Sequence, residues 1–364
     1  MPHSSGTHTV VFSDTKFGSS DPSNRFYYPV PHQVGTNDAR AQFPRTSVAM
    51  LHRPNKPSAL TATPNLSPQP QVTISDNSRV SAVLPTGESV DVLLFGATVV
   101  SWKDAAGDEK LWLSKDTRLD GSKGVRGGIP LVFPVFGPAS PDHPPTSRLP
   151  QHGFARTARW EFLGKSTSEG SSSSVKLDFG LSSDSIPDST KTLWPYTFGL
   201  LYSVTLDRES LNTALVITND GDEPFECQML LHTYFRVKDI STVNITGLEE
   251  SMYIDKVDGA KSKQESPSPT CFTAETDRIY TLTRGPKHPI IISDSGSPRF
   301  RIVRDNLDQV VVWNPWINKA KSIADFAPKD GYKNMVCVEA GSVGGWLKLD
   351  KGDAFEGAQT ILLT

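Results

Sequence analysis

The run Leu211-Asn212-Thr213-Ala214-Leu215-Val216-Ile217 sets Leu211, Thr213, Leu215 and Ile217 on one side of the chain and their neighbours on the other. A period of two sends successive side chains to opposite faces, which marks a half-buried strand and not a helix. The pattern recurs on either side of it. Val90, Val92 and Leu94 alternate with Ser89, Asp91 and Leu93, and Phe300 and Ile302 alternate with Arg299 and Arg301. Further strand-like runs cover 175–181, 200–206, 225–232, 289–293, 310–313 and 335–339, separated by turn residues. No stretch beyond about ten residues keeps a helical period, and the best short helix lies over 188–193. Many strands with few short helices predict an all-β fold, a large antiparallel β-sandwich.

Residues 1–70 have a different texture. Ten of the 28 prolines fall there, and its last third is poor in apolar residues. Such a segment buries too little surface to offset its ordering entropy, so 1–70 is expected to be a disordered leader. Four of the eight histidines lie in it without metal-ligand spacing. From 71 to 364 no comparable linker interrupts the pattern, which predicts one domain, with the serine run Ser171–Ser174 as a loop tip.

Composition excludes several classes. The 364 residues carry 37 basic and 40 acidic side chains, a net charge of −3 that leaves no electrostatic footprint for nucleic acid. No apolar run reaches the roughly 18–20 residues of a bilayer-spanning helix. Cys227, Cys271 and Cys337 form no CxxC pair, so neither a disulfide framework nor a thiolate zinc site is expected, and a reducing compartment fits. The N-terminus lacks the basic and apolar regions of a secretory signal, and the expected location is the cytoplasm.

Outside the leader four histidines remain. His143 and His288 sit in proline-rich turns and read as exposed; His152 lies in Pro150-Gln151-His152-Gly153, and His232 follows an apolar run. Glu339 ends the run Met335-Val336-Cys337-Val338, an expensive place for a carboxylate unless it is hydrogen-bonded or functional. Asp277 reads by spacing as a turn residue before a strand. Arg126, between Gly124 and Gly127-Gly128, is either an exposed turn arginine or an anion clamp, since guanidinium donors suit phosphate oxygens. The following 131–137 run could line a pocket but lacks the Lys-Ser/Thr of a P-loop.

These segments together resemble the aldose 1-epimerase (mutarotase) superfamily, most closely its hexose-6-phosphate branch. The residues that carry the resemblance are Phe95-Gly96-Ala97, Arg126-Gly127-Gly128-Ile129-Pro130, Pro150-Gln151-His152-Gly153-Phe154-Ala155-Arg156, His232-Thr233-Tyr234, Glu275-Thr276-Asp277, Trp313-Asn314-Pro315-Trp316 and Glu339-Ala340-Gly341, in order over about 72–364. Where that branch continues with Pro-Gly-His after the glutamate, this chain has Ala340-Gly341-Ser342, a difference that bears on the local loop. The resemblance implies a supersandwich of the galactose mutarotase kind and an isomerase that interconverts the α and β anomers of a hexose 6-phosphate, D-glucose 6-phosphate first. It implies no metal or organic cofactor, a small-molecule partner only, and a monomer. Carried over, it makes His232 the general acid and Glu339 the general base; Asp277 and Gln151 would hold sugar hydroxyls, and Arg126 and Arg156 the 6-phosphate. Three alternatives stand beside it: a mutarotase of unphosphorylated aldoses, a non-catalytic sugar-phosphate binder on the same fold, and a glycoside hydrolase with two carboxylates.

Overall fold

Leu211, Leu215 and Ile217 are buried along the strand Ser210–Asn219, one of the longest in a nine-stranded antiparallel sheet. That strand lies between Phe198–Asp207 and Ala354–Leu363. Beyond them follow Ser174–Ser182 and Glu161–Ser166 on one side, and Ser297–Asp305, Ile290–Asp294, Val243–Thr246 and Thr270–Cys271 on the other. The computed structural model describes residues 68–76, 78–167 and 173–364. Residues 1–67 of the leader and Ser171 and Ser172 of the serine run lie outside the described residues, and Ser174, expected in the loop tip, already opens a strand.

A second, eight-stranded sheet runs in the order Lys261–Gln264, Met252–Asp255, Thr276–Thr281, Gln309–Asn314, Met335–Leu349, Phe225–Leu231 and Leu131–Val132, with Tyr234–Arg236 also paired to Met335–Leu349. Its apolar face shares one core with the first sheet: Val204 and Leu215 belong to the same buried cluster as Met229, Leu231 and Val338. A four-stranded meander over 71–103 adds Val80, Val90 and Trp102 to that core. Every strand pairing is antiparallel among the described residues, apart from one isolated parallel bridge, Phe133 with Gly153. The fold is therefore all-β, as its alternation predicts.

Only two α-helices occur among the described residues, Asp188–Leu193 and Trp316–Ser322. The first is the one the sequence marks. The second, seven residues long, is one the sequence reading does not mark. Its start is set by the Asn314 side chain, whose Oδ1 accepts the Trp316 backbone N–H at 2.9 Å, with Pro315 between them.

Two expectations about strand ends are corrected. Glu339 does not end its strand; Met335–Leu349 continues through Ala340, Gly341 and Ser342, paired with Leu231, Leu230 and Met229. No loop exists where the sequence departs from the Pro-Gly-His pattern. The irregularity comes later, as a wide bulge between Ser342 and Leu347. Gln228 fills it, donating through Nε2 to the carbonyls of Val343 and Gly345. His143 is likewise not an exposed turn residue. It is 8% exposed, its ring stacked on Trp346 from that bulge with centroids 3.4 Å apart and its Nε2 3.0 Å from Glu226 Oε2.

Candidate active site

Neighbouring strands of the eight-stranded sheet form the site floor. Their registers set Asp277 opposite Trp313, Trp313 opposite Cys337 and Cys337 opposite Tyr234, one row across the sheet. The next row on that face holds Ile279, Val311 and Glu339. Opposed residues share a face, and so do residues two apart on one strand. Val310, Val312, Val338 and Ala340 point the other way, into the main core. The alternation that marks 335–339 as a strand thus also turns the Glu339 carboxyl to the cleft.

His232 leaves the end of Phe225–Leu231, its backbone N–H donating to the Pro130 carbonyl at 3.0 Å. Its ring lies on Tyr234 with centroids 4.6 Å apart and planes at 9°, edge-on to Trp313 and to His152. Nδ1 stands 3.2 Å from Glu339 Oε1, with the two side chains 12% and 2% exposed. The contact is close but not aligned as a hydrogen bond. Neither His232 Nδ1 nor Glu339 Oε2 has a hydrogen-bond partner among the described residues.

Burial first, then Asp277, pushes the Glu339 carboxyl well above the ordinary carboxylate range, with Lys256 opposing. Burial first, then His152, Arg126 and Arg156, holds His232 well below the ordinary imidazole value. Both effects favour an uncharged pair. These directions favour a protonated Glu339 beside a neutral His232, the reverse of the protonation that the resemblance implies.

His152 is the neutral neighbour. Its backbone φ of 65° is left-handed, a conformation held by a reciprocal pair with Gly137: His152 N–H donates to the Gly137 carbonyl, and the Gly137 N–H donates to His152 Nδ1 at 3.1 Å. Burial, helped by Arg156, Lys256 and Arg126, pulls its pKa down to about 3. With Nδ1 accepting, the single ring proton sits on Nε2, 3.3 Å from Gln151 Nε2, so the Gln151 amide must turn its oxygen to the ring to accept that proton.

Arg126 is set by its glycines. Gly127 has φ 129°, and a Cβ there would meet the Trp112 carbonyl at 2.4 Å, so only glycine lets the chain turn at this point. The guanidinium then spans Asp325 Oδ1 at 3.3 Å and the Tyr234 hydroxyl at 3.4 Å. Gly124 plays a different part: a Cβ there would lie 2.8 Å from Arg156 Cδ, so its bareness makes room for that side chain. Arg156 donates through Nη2 to the Gln151 carbonyl.

Two cavities result. The first, about 410 Å³, is lined by His232, Glu339, His152, Asp277, Gln151 and Arg126 among others. The second, about 670 Å³, is lined by Arg126, Gln151, Arg156, Lys123 and Asp325. They share Arg126 and Gln151 and therefore adjoin. The second sets three cations against one carboxylate, a balance suited to a dianion. Six sequence-marked residues thus converge on one bipartite cleft.

The structure corrects the reading of Asp277 as a turn residue. It belongs to Thr276–Thr281, and its Oδ2 meets Lys256 Nζ at 3.1 Å. Lys256, which no sequence signal marks, comes from the turn after Met252–Asp255 and also lines the first cavity. Phe136 lines that cavity, whereas Phe133 is wholly buried among Phe154, Trp194 and Phe198.

A sandwich of this size and topology is the architecture of the galactose mutarotase-like proteins. The solved galactose 1-epimerase of Lactobacillus acidophilus shares it at a TM-score of 0.58 and 15% identity, with 81% of this chain and 98% of that one covered. The chain belongs to the aldose 1-epimerase family, whose model matches residues 79–361, and is an epimerase. A relative from Escherichia coli K12 named "Putative glucose-6-phosphate 1-epimerase" is 35% identical over 269 residues, 74% of this chain and 84% of its own. One of the same name from Cenchrus ciliaris is 33% identical over 270 residues, 73% and 79%. A solved "putative mutarotase" from Salmonella typhimurium superposes with a TM-score of 0.69 at 30% identity, covering 82% of this chain and 95% of that one.

Proposed function

We propose that this chain interconverts the α and β anomers of D-glucose 6-phosphate by general acid/base ring opening, with His232 and Glu339 as the proton-transfer pair. The observation that carries the reading is the placement of that pair in a cavity adjoining one lined by Arg126, Arg156 and Lys123. Ring opening takes the proton from the C1 hydroxyl and delivers one to the ring oxygen; reclosure on the other face reverses both transfers. A pair that holds one proton between two members can do this in either direction, each member contributing about 10²–10⁴-fold. Asp277, steadied by Lys256, and Gln151 accept and donate hydrogen bonds to sugar hydroxyls. His152 presents a fixed neutral N–H donor.

The phosphate group has a second effect. Arg126 and Arg156 are among the charges that hold His232 below its ordinary value. A phosphate dianion between them offsets those charges and lets the imidazole take up its proton only when substrate is seated. Substrate binding thereby restores the arrangement in which His232 is the acid and Glu339 the base.

Equilibration of pure α-glucose 6-phosphate, followed by polarimetry, tests the assignment against unphosphorylated glucose. Two charge-assisted contacts at about 1.5–3 kcal/mol each should favour the phosphorylated sugar by roughly two to four orders of magnitude in kcat/KM. Arg156→Ala should raise KM for glucose 6-phosphate about 10–100-fold and leave turnover of glucose unchanged. Equal efficiency on the two sugars would make the protein a mutarotase of free aldoses.

A further inference from the structure

Cys337 lies two residues before Glu339 on the cleft face of the same strand, in register with Tyr234 and Trp313. Proton transfer between His232 and Glu339 does not use it. Yet His232, Cys337 and Glu339 each offer a ligand atom, and these atoms all lie within 4.8 Å of one another. We propose that these three side chains form an inhibitory site for a borderline-soft divalent cation, zinc above all, which closes the cleft by occupying both proton-transfer groups.

The geometry is near that of a tetrahedral zinc centre. Zinc–nitrogen and zinc–oxygen bonds of about 2.0–2.2 Å and a zinc–sulfur bond of about 2.3 Å set ligand atoms roughly 3.3–3.6 Å apart. Nδ1 and Oε1 already stand 3.2 Å apart. The thiol sulfur, no more than 4.8 Å from the other two atoms, needs to approach by little more than about 1 Å from its place among Trp112, Tyr234 and Met335. His232 Nδ1 is buried without a hydrogen-bond partner among the described residues, and a cation would supply the missing partner. His232 and Glu339 line the first cavity, so a hydrated ion has a way in.

The donor set chooses the ion. One sulfur, one imidazole nitrogen and one carboxylate oxygen suit zinc, whereas magnesium takes an octahedron of oxygens and gains nothing from a thiolate. Three protein ligands leave the fourth position to water or to a sugar hydroxyl. On binding, the thiol proton, and the carboxyl proton where Glu339 holds one, pass to solvent; one metal–ligand bond forms at each of the three atoms while the metal–water bonds they replace break and those waters leave.

The full chain, stripped with EDTA, is assayed with glucose 6-phosphate while zinc or magnesium is titrated in. Zinc should inhibit, EDTA should reverse the inhibition, and magnesium should have no effect at equal concentration. Cys337→Ala should keep the metal-free rate and weaken zinc inhibition at least about tenfold, since even an outer-shell partner of a metal site is worth 10–100-fold in affinity. Cobalt(II) added to the unmodified chain should give the near-ultraviolet thiolate-to-cobalt charge-transfer band. That readout needs no turnover, so it stands if the sugar assignment fails, and it needs no variant to fold. Undiminished zinc inhibition in Cys337→Ala, or cobalt binding without the band, would overturn the site.

Discussion

Glu339 illustrates what one buried carboxyl costs and provides. A carboxyl held above its ordinary value of 4.5 contributes fully to stability below that pH and loses the contribution as pH rises through its folded value. Glutamine keeps the shape and does not ionise. Glu339→Gln should therefore melt higher than the natural chain, with a gap that widens from about pH 5 to about pH 8, while anomerisation falls at least about 100-fold. Calorimetry across that range and polarimetry on the same samples check both halves; a gap that narrows with pH would reverse the sign assigned to Glu339. His232 gives a second expectation at this scale. If the proposed phosphate seat at Arg126 and Arg156 is right, the His232 pKa should read higher in the pH profile of kcat than in that of kcat/KM, which reports the free site. Coincident profiles would remove the phosphate from control of His232.

The strand Met335–Leu349 brings its parts to the cleft from two directions. Its first half carries Cys337 and Glu339; its bulge carries Trp346, which stacks on His143. His143 pins the loop that leads to Gln151 and His152, so the bulge governs the cleft wall from outside it. Trp346→Ala should cost about 1–3 kcal/mol of stability and raise KM more than it lowers kcat. Denaturant unfolding and steady-state kinetics measure the two, and an unchanged KM would show the loop to be held by other contacts. This strand also shows where sequence reading stops. The apolar run Met335–Val338 made the strand legible, with one carboxyl in an expensive place at its end. The bulge was not legible, because it depends on Gln228 from a partner strand more than a hundred positions away. The same holds for Asp277, whose turn-like neighbours hide a strand, and for Lys256, which reaches the cleft only because two distant strands pair. Local pattern reports the face a residue shows; it does not report which strand comes next to it.

At the scale of the whole molecule, both sheets and every residue of the cleft fall within 71–364. A chain beginning at residue 68 should keep its melting temperature and its rate, and a clear drop in either would show that the preceding residues contribute to the fold. Raised ionic strength should weaken glucose 6-phosphate binding and leave free glucose unaffected, since the second cavity attracts by charge. The joining of two chambers through Arg126 and Gln151 has a further meaning. Under the proposed function, a cleft whose anion seat, on the turns that carry Arg126 and Arg156, stands apart from its proton-transfer pair acts as a ruler. A hexose phosphorylated at its far end spans the gap with its anomeric carbon against the pair. A pentose 5-phosphate falls one carbon short, and a sugar 1-phosphate has no free hydroxyl at the carbon that must open. Length is then read alongside the sugar hydroxyls that Asp277 and Gln151 would hold.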